Sequence, residues 1–165
     1  MDTDERFLSE PGPMGLFTRL TRVGLLLDEF QHRALDPFCL RFIDFSVLRV
    51  LQLAGSPYRV SAGELSEIVL RSTGGMTQIL DRLSELGLVR RVADANDRRK
   101  VLAELTDDGL DVAQRASASY ARERRRILRS LSGPEVDTID ASIRLLLDVF
   151  RDAGVATRPE RLTGR

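Results

Sequence analysis

The chain of 165 residues has no Trp, one Cys and one His, and aromatics make up only 5% of it. A single thiol excludes an intrachain disulfide, and one His with one Cys cannot build an ordinary Cys/His structural zinc site. No segment approaches the roughly 20 consecutive apolar residues needed to span a bilayer. The acidic start, MDTDERFLSEPG, lacks an apolar signal core, so a soluble, cytoplasmic protein is expected. One His, one Cys and no Gly-rich nucleotide fingerprint leave few candidates for a nucleophile with its base, a metal-ligating set or a phosphate loop, so neither an enzyme nor a cofactor is expected. The formal net charge is zero, which argues against a protein whose whole surface coats nucleic acid.

What is present points to helix. Hydrophobic residues reach 42% and charged residues 30%, the balance of long, solvated helices rather than a β-sandwich, and the length suits one domain. The charge is unevenly placed. Between positions 71 and 100 lie seven cations (Arg71, Arg82, Arg90, Arg91, Arg98, Arg99, Lys100) and four anions (Asp81, Glu85, Asp94, Asp97). This segment carries net +3 and the remainder −3, which predicts one localised basic surface.

The polar first dozen residues end in Pro11-Gly12-Pro13 and read as an arm. Leu16, Leu20, Val23, Leu27 and Phe30 then mark an amphipathic helix to about Ala34, broken by Asp36-Pro37. A second helix is predicted from Ile43 to Ala54, with Val47, Leu48 and Leu51 inward and a stop at Gly55-Ser56-Pro57. Ser61-Ala62-Gly63-Glu64 reads as a capping box opening a short third helix whose apolar face is Leu65, Ile68 and Val69. Ser72 caps a fourth helix with Met76, Ile79, Leu80, Leu83 and Leu86 inward, ended by Gly87. Its outer face holds Thr73, Thr77, Gln78, Asp81 and Arg82.

Two short segments, Leu88 to Ala93 and Lys100 to Thr106, flank a polar stretch and predict a β-hairpin. Thr106 caps a long fifth helix to about Ser130, and Ser132-Gly133-Pro134-Glu135 is a second capping box before a last helix to about Asp152. The expected fold is mostly α with a small β-hairpin wing: a winged helix-turn-helix core over about 43–106, helical dimerisation segments over about 13–34 and 107–152, and a mobile tail at 154–165.

The chemistry agrees with this order. The outer face of the fourth helix offers small hydroxyl and amide groups able to approach base edges, and the hairpin tip carries adjacent cations. Gly74 and Gly75 each cost about 1 kcal/mol against Ala inside a helix. Their place in the first turn suggests close backbone approach to a DNA phosphate or to the preceding helix; plain packing is the other reading. A helical protein-interaction module without DNA binding would account for the apolar terminal helices but not for the cationic hairpin.

The run Leu70-Arg71-Ser72-Thr73-Gly74-Gly75-Met76-Thr77, then Leu80-Asp81-Arg82-Leu83, Gly87-Leu88-Val89, Asp97-Arg98-Arg99, Leu105-Thr106 and Gly109, resembles the MarR family of bacterial transcriptional regulators. The resemblance implies an obligate homodimer on a pseudo-palindromic double-stranded operator, commonly as a repressor, with DNA affinity responsive to a small molecule or an oxidant. By that likeness Arg71, Ser72, Thr73, Gly74, Thr77 and Gln78 face DNA from the recognition helix. Asp97 orients Arg99 into the minor groove. Gln78 either contacts adenine or stays solvated, and Arg98 and Lys100 are either phosphate ligands or turn residues. Arg82 either holds a phosphate or pairs with Glu85.

Two departures from the family pattern fall where its effector pocket commonly forms. Cys39 stands where Gly is common, and Leu40-Arg41-Phe42 replaces the usual Leu-Thr-Pro. The resemblance implies a pocket for a small aromatic or carboxylate ligand between the first two helices and the fifth, with His32, Cys39 and Arg41 as lining candidates. Beside Arg41, Cys39 is either a redox sensor or a packed, inert thiol, and His32 is either a pocket residue or an exposed helix residue.

Overall fold

Pro13 sits in the first turn of the first helix, where its missing amide leaves no hydrogen bond unmade. That helix, α1, runs Gly12–Leu35 in a computed structural model that describes residues 8–9, 11–94 and 101–155. A single 3-10 turn over Asp36–Phe38 follows, with the proline at its second position. Cys39 then takes a left-handed φ of 54°, the conformation a glycine adopts at no steric cost. This links the turn to α2 (Phe42–Leu53), which begins one residue before Ile43 and ends one before Ala54.

A short strand, β1 (Arg59–Ser61), leads directly into α3 (Ala62–Ile68). Then come α4 (Thr73–Glu85), the hairpin strands β2 (Val89–Ala93) and β3 (Val101–Leu105), α5 (Asp107–Leu128) and α6 (Gly133–Asp152). The capping boxes form as the sequence predicts: the Ser61 hydroxyl accepts from the Glu64 amide at 3.2 Å while the Glu64 carboxylate accepts from the Ser61 amide at 3.1 Å. At Ser132 the Glu135 carboxylate accepts from the amide at 2.8 Å.

The three strands are antiparallel in the order β1-β3-β2. The sequence announced only the hairpin, because β1 is three residues long and its partner lies more than forty positions away, Arg59 facing Glu104. The core lies where α2, α4 and α5 converge beneath this sheet. Leu35, Val47, Leu48, Leu51, Leu65, Met76, Leu83, Ala113 and Ala116 are all but inaccessible there. Each larger side chain contributes about 1.5–3 kcal/mol by leaving water.

Two apolar assignments differ from the sequence reading. Ile68 is 59% exposed, since Ser66 takes the inner position beside Leu65, and Leu86 is 43% exposed at the C-cap, after α4 has left the core. The start of α5 is held against the hairpin base. A Cβ on Gly109 would lie 1.9 Å from the Leu88 carbonyl oxygen, so only glycine permits that approach. The Thr106 hydroxyl accepts from the Gly109 amide at 2.9 Å and donates to the Gly87 carbonyl at 2.7 Å.

Outside this core, α6 buries no residue of its own and meets α1 through an edge-to-face contact of Phe150 with Phe17, 6.2 Å between ring centres. Much of the apolar face of α1, including Val23, Leu26 and Leu27, is open, as are Ile127 on α5 and Ile139, Ile143 and Leu147 on α6. Among the described residues no helix is long and apolar enough to cross a membrane.

Candidate nucleic-acid interface

The link from α3 to α4 is a tight turn made by Leu70 in a left-handed conformation, φ 54°, with the Arg71 amide donating to the Ser66 carbonyl at 2.9 Å. Ser72 then opens α4, its hydroxyl accepting from the Gly75 amide at 3.2 Å. An added Cβ on Gly75 would meet that same oxygen, and a Cβ on Gly74 would meet nothing within 4 Å. Neither glycine is therefore required by packing against the preceding helix. Gly74 leaves the first turn of α4 bare toward the outside.

Met76, Ile79, Leu80 and Leu83 anchor α4 in the core, which turns Thr73, Thr77, Gln78 and Asp81 outward. The exposed Thr77 donates its hydroxyl to the Thr73 carbonyl at 3.1 Å. Arg71 is exposed beside this face. The structure thus gathers Arg71, Ser72, Thr73, Gly74, Thr77 and Gln78 at one end of one helix. Asp97, Arg98, Arg99 and Lys100 lie outside the described residues.

Arg82 goes elsewhere. Instead of pairing with Glu85, it donates from Nε to the Asp44 carboxylate at 3.2 Å and from Nη2 to the Cys39 carbonyl at 3.1 Å. Asp44 is fully buried and also receives Arg41, through Nε at 2.9 Å, Nη2 at 2.7 Å and the backbone amide at 3.1 Å. Burial alone would push the Asp44 carboxyl up; the hydrogen bonds from Arg41, with Arg82 behind them, outweigh burial and hold it below the usual carboxylate range. Arg82 thus forms a tether between α4 and the start of α2.

Asp44 was not among the residues singled out from the sequence, although a signal was there. Positions 44, 47, 48 and 51 share one helix face, and an acid on a face otherwise filled by Val47, Leu48 and Leu51 must be buried with a cation.

A second buried acid organises the hairpin. Glu104 lies on the central strand with Arg59 of β1 and Arg90 of β2 directly opposite on either side. Both guanidiniums donate to its carboxylate, that of Arg90 from Nε at 2.8 Å. Arg59, aided by Arg90, holds Glu104 below the usual carboxylate range against the pull of burial. Arg91, on the opposite side of β2, donates to Asp81 of α4 at 2.6 Å.

The effector candidates are not brought together. His32 and Cys39 are exposed, so the packed alternative for Cys39 does not hold, and the Arg41 guanidinium is engaged by Asp44. Two concavities do lie among α1, α2 and α5, and neither is lined by those three residues. One, about 280 Å³, is apolar, with Val23, Leu27, Phe30 and Ile127 around Arg124. The other, about 360 Å³, runs between α2 and α5 past Phe42, Phe45, Arg49, Tyr120 and Arg124. Cys39 sits on a left-handed residue between α1 and α2, and the Arg41 guanidinium is turned to the buried Asp44.

The MarR family profile matches residues 40–100, which takes in α2, β1, α3, α4 and β2 and ends one residue before β3. The HTH-type transcriptional regulator PecS of Dickeya dadantii is 31% identical over 123 residues, covering 74% of this chain and 74% of PecS. Wild-type MarR from E. coli in its apo form superimposes with a TM-score of 0.65 at 25% identity, over 84% of this chain and 99% of that one. A mutant MarR from E. coli complexed with operator DNA gives a TM-score of 0.71 at 24% identity, over 89% of this chain and 99% of that one. With a relative 31% identical over 74% of each chain and a family profile matching the region from α2 to β2, the chain belongs to the MarR family of transcriptional regulators.

Proposed function

We propose that this protein is a cytoplasmic homodimer that binds a pseudo-palindromic DNA operator and represses transcription from it. The observation that carries this reading is the outer face of α4. A first turn left bare at Gly74 and flanked by exposed Thr73, Thr77 and Gln78 can enter a major groove, where hydroxyl and amide groups match base edges. Arg71 and the amides at the start of α4 suit the flanking phosphates. The hairpin tip, with Asp97, Arg98, Arg99 and Lys100, would reach the neighbouring minor groove, Arg99 inserting and Arg98 and Lys100 holding the backbone. The structure of an E. coli MarR mutant complexed with operator DNA, which shares the fold, supports the DNA-binding reading.

The open apolar faces of α1, α5 and α6 support the dimer, since a stable interface needs about 1,200–2,000 Å² of buried surface and these exposed side chains offer apolar area for it. Two copies related by a two-fold axis would set two α4 helices about 34 Å apart, one turn of DNA. A small ligand acting between the terminal helices and the core would alter that spacing and so the affinity. The test is selection of duplexes from a random library, followed by footprinting. An inverted repeat bound by a dimer is the expected result; failure to enrich any sequence overturns the reading.

A further inference from the structure

Successive residues of a strand leave it on opposite faces. In β2 this sends two adjacent arginines to two different acids. Arg90 joins Glu104 and, through it, Arg59, tying the hairpin to β1 and hence to the start of α3. Arg91, in register with the buried Ala103, turns the other way and brings Nη2 to 2.6 Å from the Asp81 carboxylate on α4. Asp81 lies one turn beyond Thr77 and three residues after Gln78, on the outer face of the same helix. The chain between the two partners reverses at Gly87, whose φ of 71° any side chain would strain.

We infer that Asp81 and Arg91 are positioning residues for DNA recognition: their ion pair sets the angle between the β2–β3 hairpin and α4, so that both meet one duplex at once. The inference rests on the reading of α4 as the DNA-contacting helix. Both side chains are about half exposed, at 49% and 45%, so the pair adds little to folding in water. A carboxylate beside the reading face also carries a direct penalty, since it repels phosphate. An acid kept there must be offset by something specific binding needs, and the cation it holds is the hairpin arginine.

That penalty gives the test a sign. Removing Asp81 as a charge alone would tighten binding to every duplex. Removing it as a positioning group loosens the hairpin and weakens only the duplex that needs both elements in place. The full-length protein, Asp81→Asn, Asp81→Glu and Arg91→Lys are compared on a duplex of about 20 base pairs selected by the wild type and on a scrambled duplex of equal length. For Asp81→Asn we expect roughly three- to tenfold weaker binding to the selected duplex, within the lower part of the range of coupling between contacting groups, with scrambled binding equal or tighter and the melting temperature unchanged. Arg91→Lys, which keeps the charge but loses the guanidinium fork, should lose selectivity in the same way, and Asp81→Glu should retain part of it. Equal tightening on both duplexes, or equal weakening with a lowered melting temperature, overturns the inference while leaving the DNA-binding reading intact. A wild type that selects no duplex removes both.

Discussion

Arg82 of α4 donates to the carboxylate of Asp44 at 3.2 Å across 38 positions of sequence, and its second nitrogen reaches the Cys39 carbonyl. Helix α4 is thereby tied to the junction between α1 and α2. Hydrogen bonds to a charged group contribute about 1.5–3 kcal/mol, but Arg82 is 39% exposed and Asp44 keeps Arg41 when Arg82 is removed. Arg82→Ala should therefore cost only about 1 kcal/mol in urea unfolding. A loss of operator affinity larger than this change in stability accounts for would show that the tether also orients α4.

Asp44 itself should matter more. Its folded pKa lies below the value of about 3.9 it has when unfolded, so its contribution is fully present above about pH 4 and is lost as pH falls through the depressed folded value. Asp44→Asn should lower stability near pH 7 by about 2 kcal/mol, less than for a pair with both charges buried because Arg41 and Arg82 regain water. It should also flatten the acid limb. Urea midpoints between about pH 2 and pH 7 check both, and an acid limb as steep as that of the wild type would place the titration on another carboxyl.

The glycines give a paired prediction. Gly109→Ala drives a Cβ into the Leu88 carbonyl and should cost about 2 kcal/mol or more. Gly74→Ala has open space and should stabilise α4 by up to about 1 kcal/mol. If a phosphate backbone approaches there, the same change should weaken DNA binding. Thermal melts and DNA titrations of the two variants are sufficient, and unchanged DNA affinity in Gly74→Ala would leave that glycine without a binding role.

Helix ends and core faces were largely legible because their causes are local. Ser61, Ser72, Thr106 and Ser132 cap the helices at the positions where their side chains allow it. What escaped was non-local. No spacing rule connects Arg59 with Glu104 or Arg82 with Asp44, and β1 becomes a strand only because β3 is beside it. The outward face of α4 was visible as what remained once its apolar positions were assigned. The positions of His32, Cys39 and Arg41 were not, since they depend on a left-handed residue and a buried acid in three dimensions.

The open face of the terminal helices predicts the assembly. Leu26 is 61% exposed and Val23 58%, close to Ile127 of α5. Wild-type protein should sediment as a dimer at micromolar concentration, and Leu26→Glu should shift it toward monomer by placing a charge in an apolar interface. A folded wild-type monomer under those conditions contradicts the assembly.

Binding of the wild type, Gln78→Ala and Arg99→Ala to the selected duplex and its single-base variants, across a salt series, tests the division between reading helix and wing most directly. Gln78→Ala should leave the slope of log affinity against log salt nearly unchanged and relax preference at one or two symmetric positions, at about 1–3 kcal/mol for each base no longer read. Arg99→Ala should weaken all duplexes and reduce the magnitude of the slope by about 1. If Gln78→Ala alters the slope while base preference stays intact, and Arg99→Ala relaxes base preference with the slope unchanged, α4 is not the element that reads the sequence.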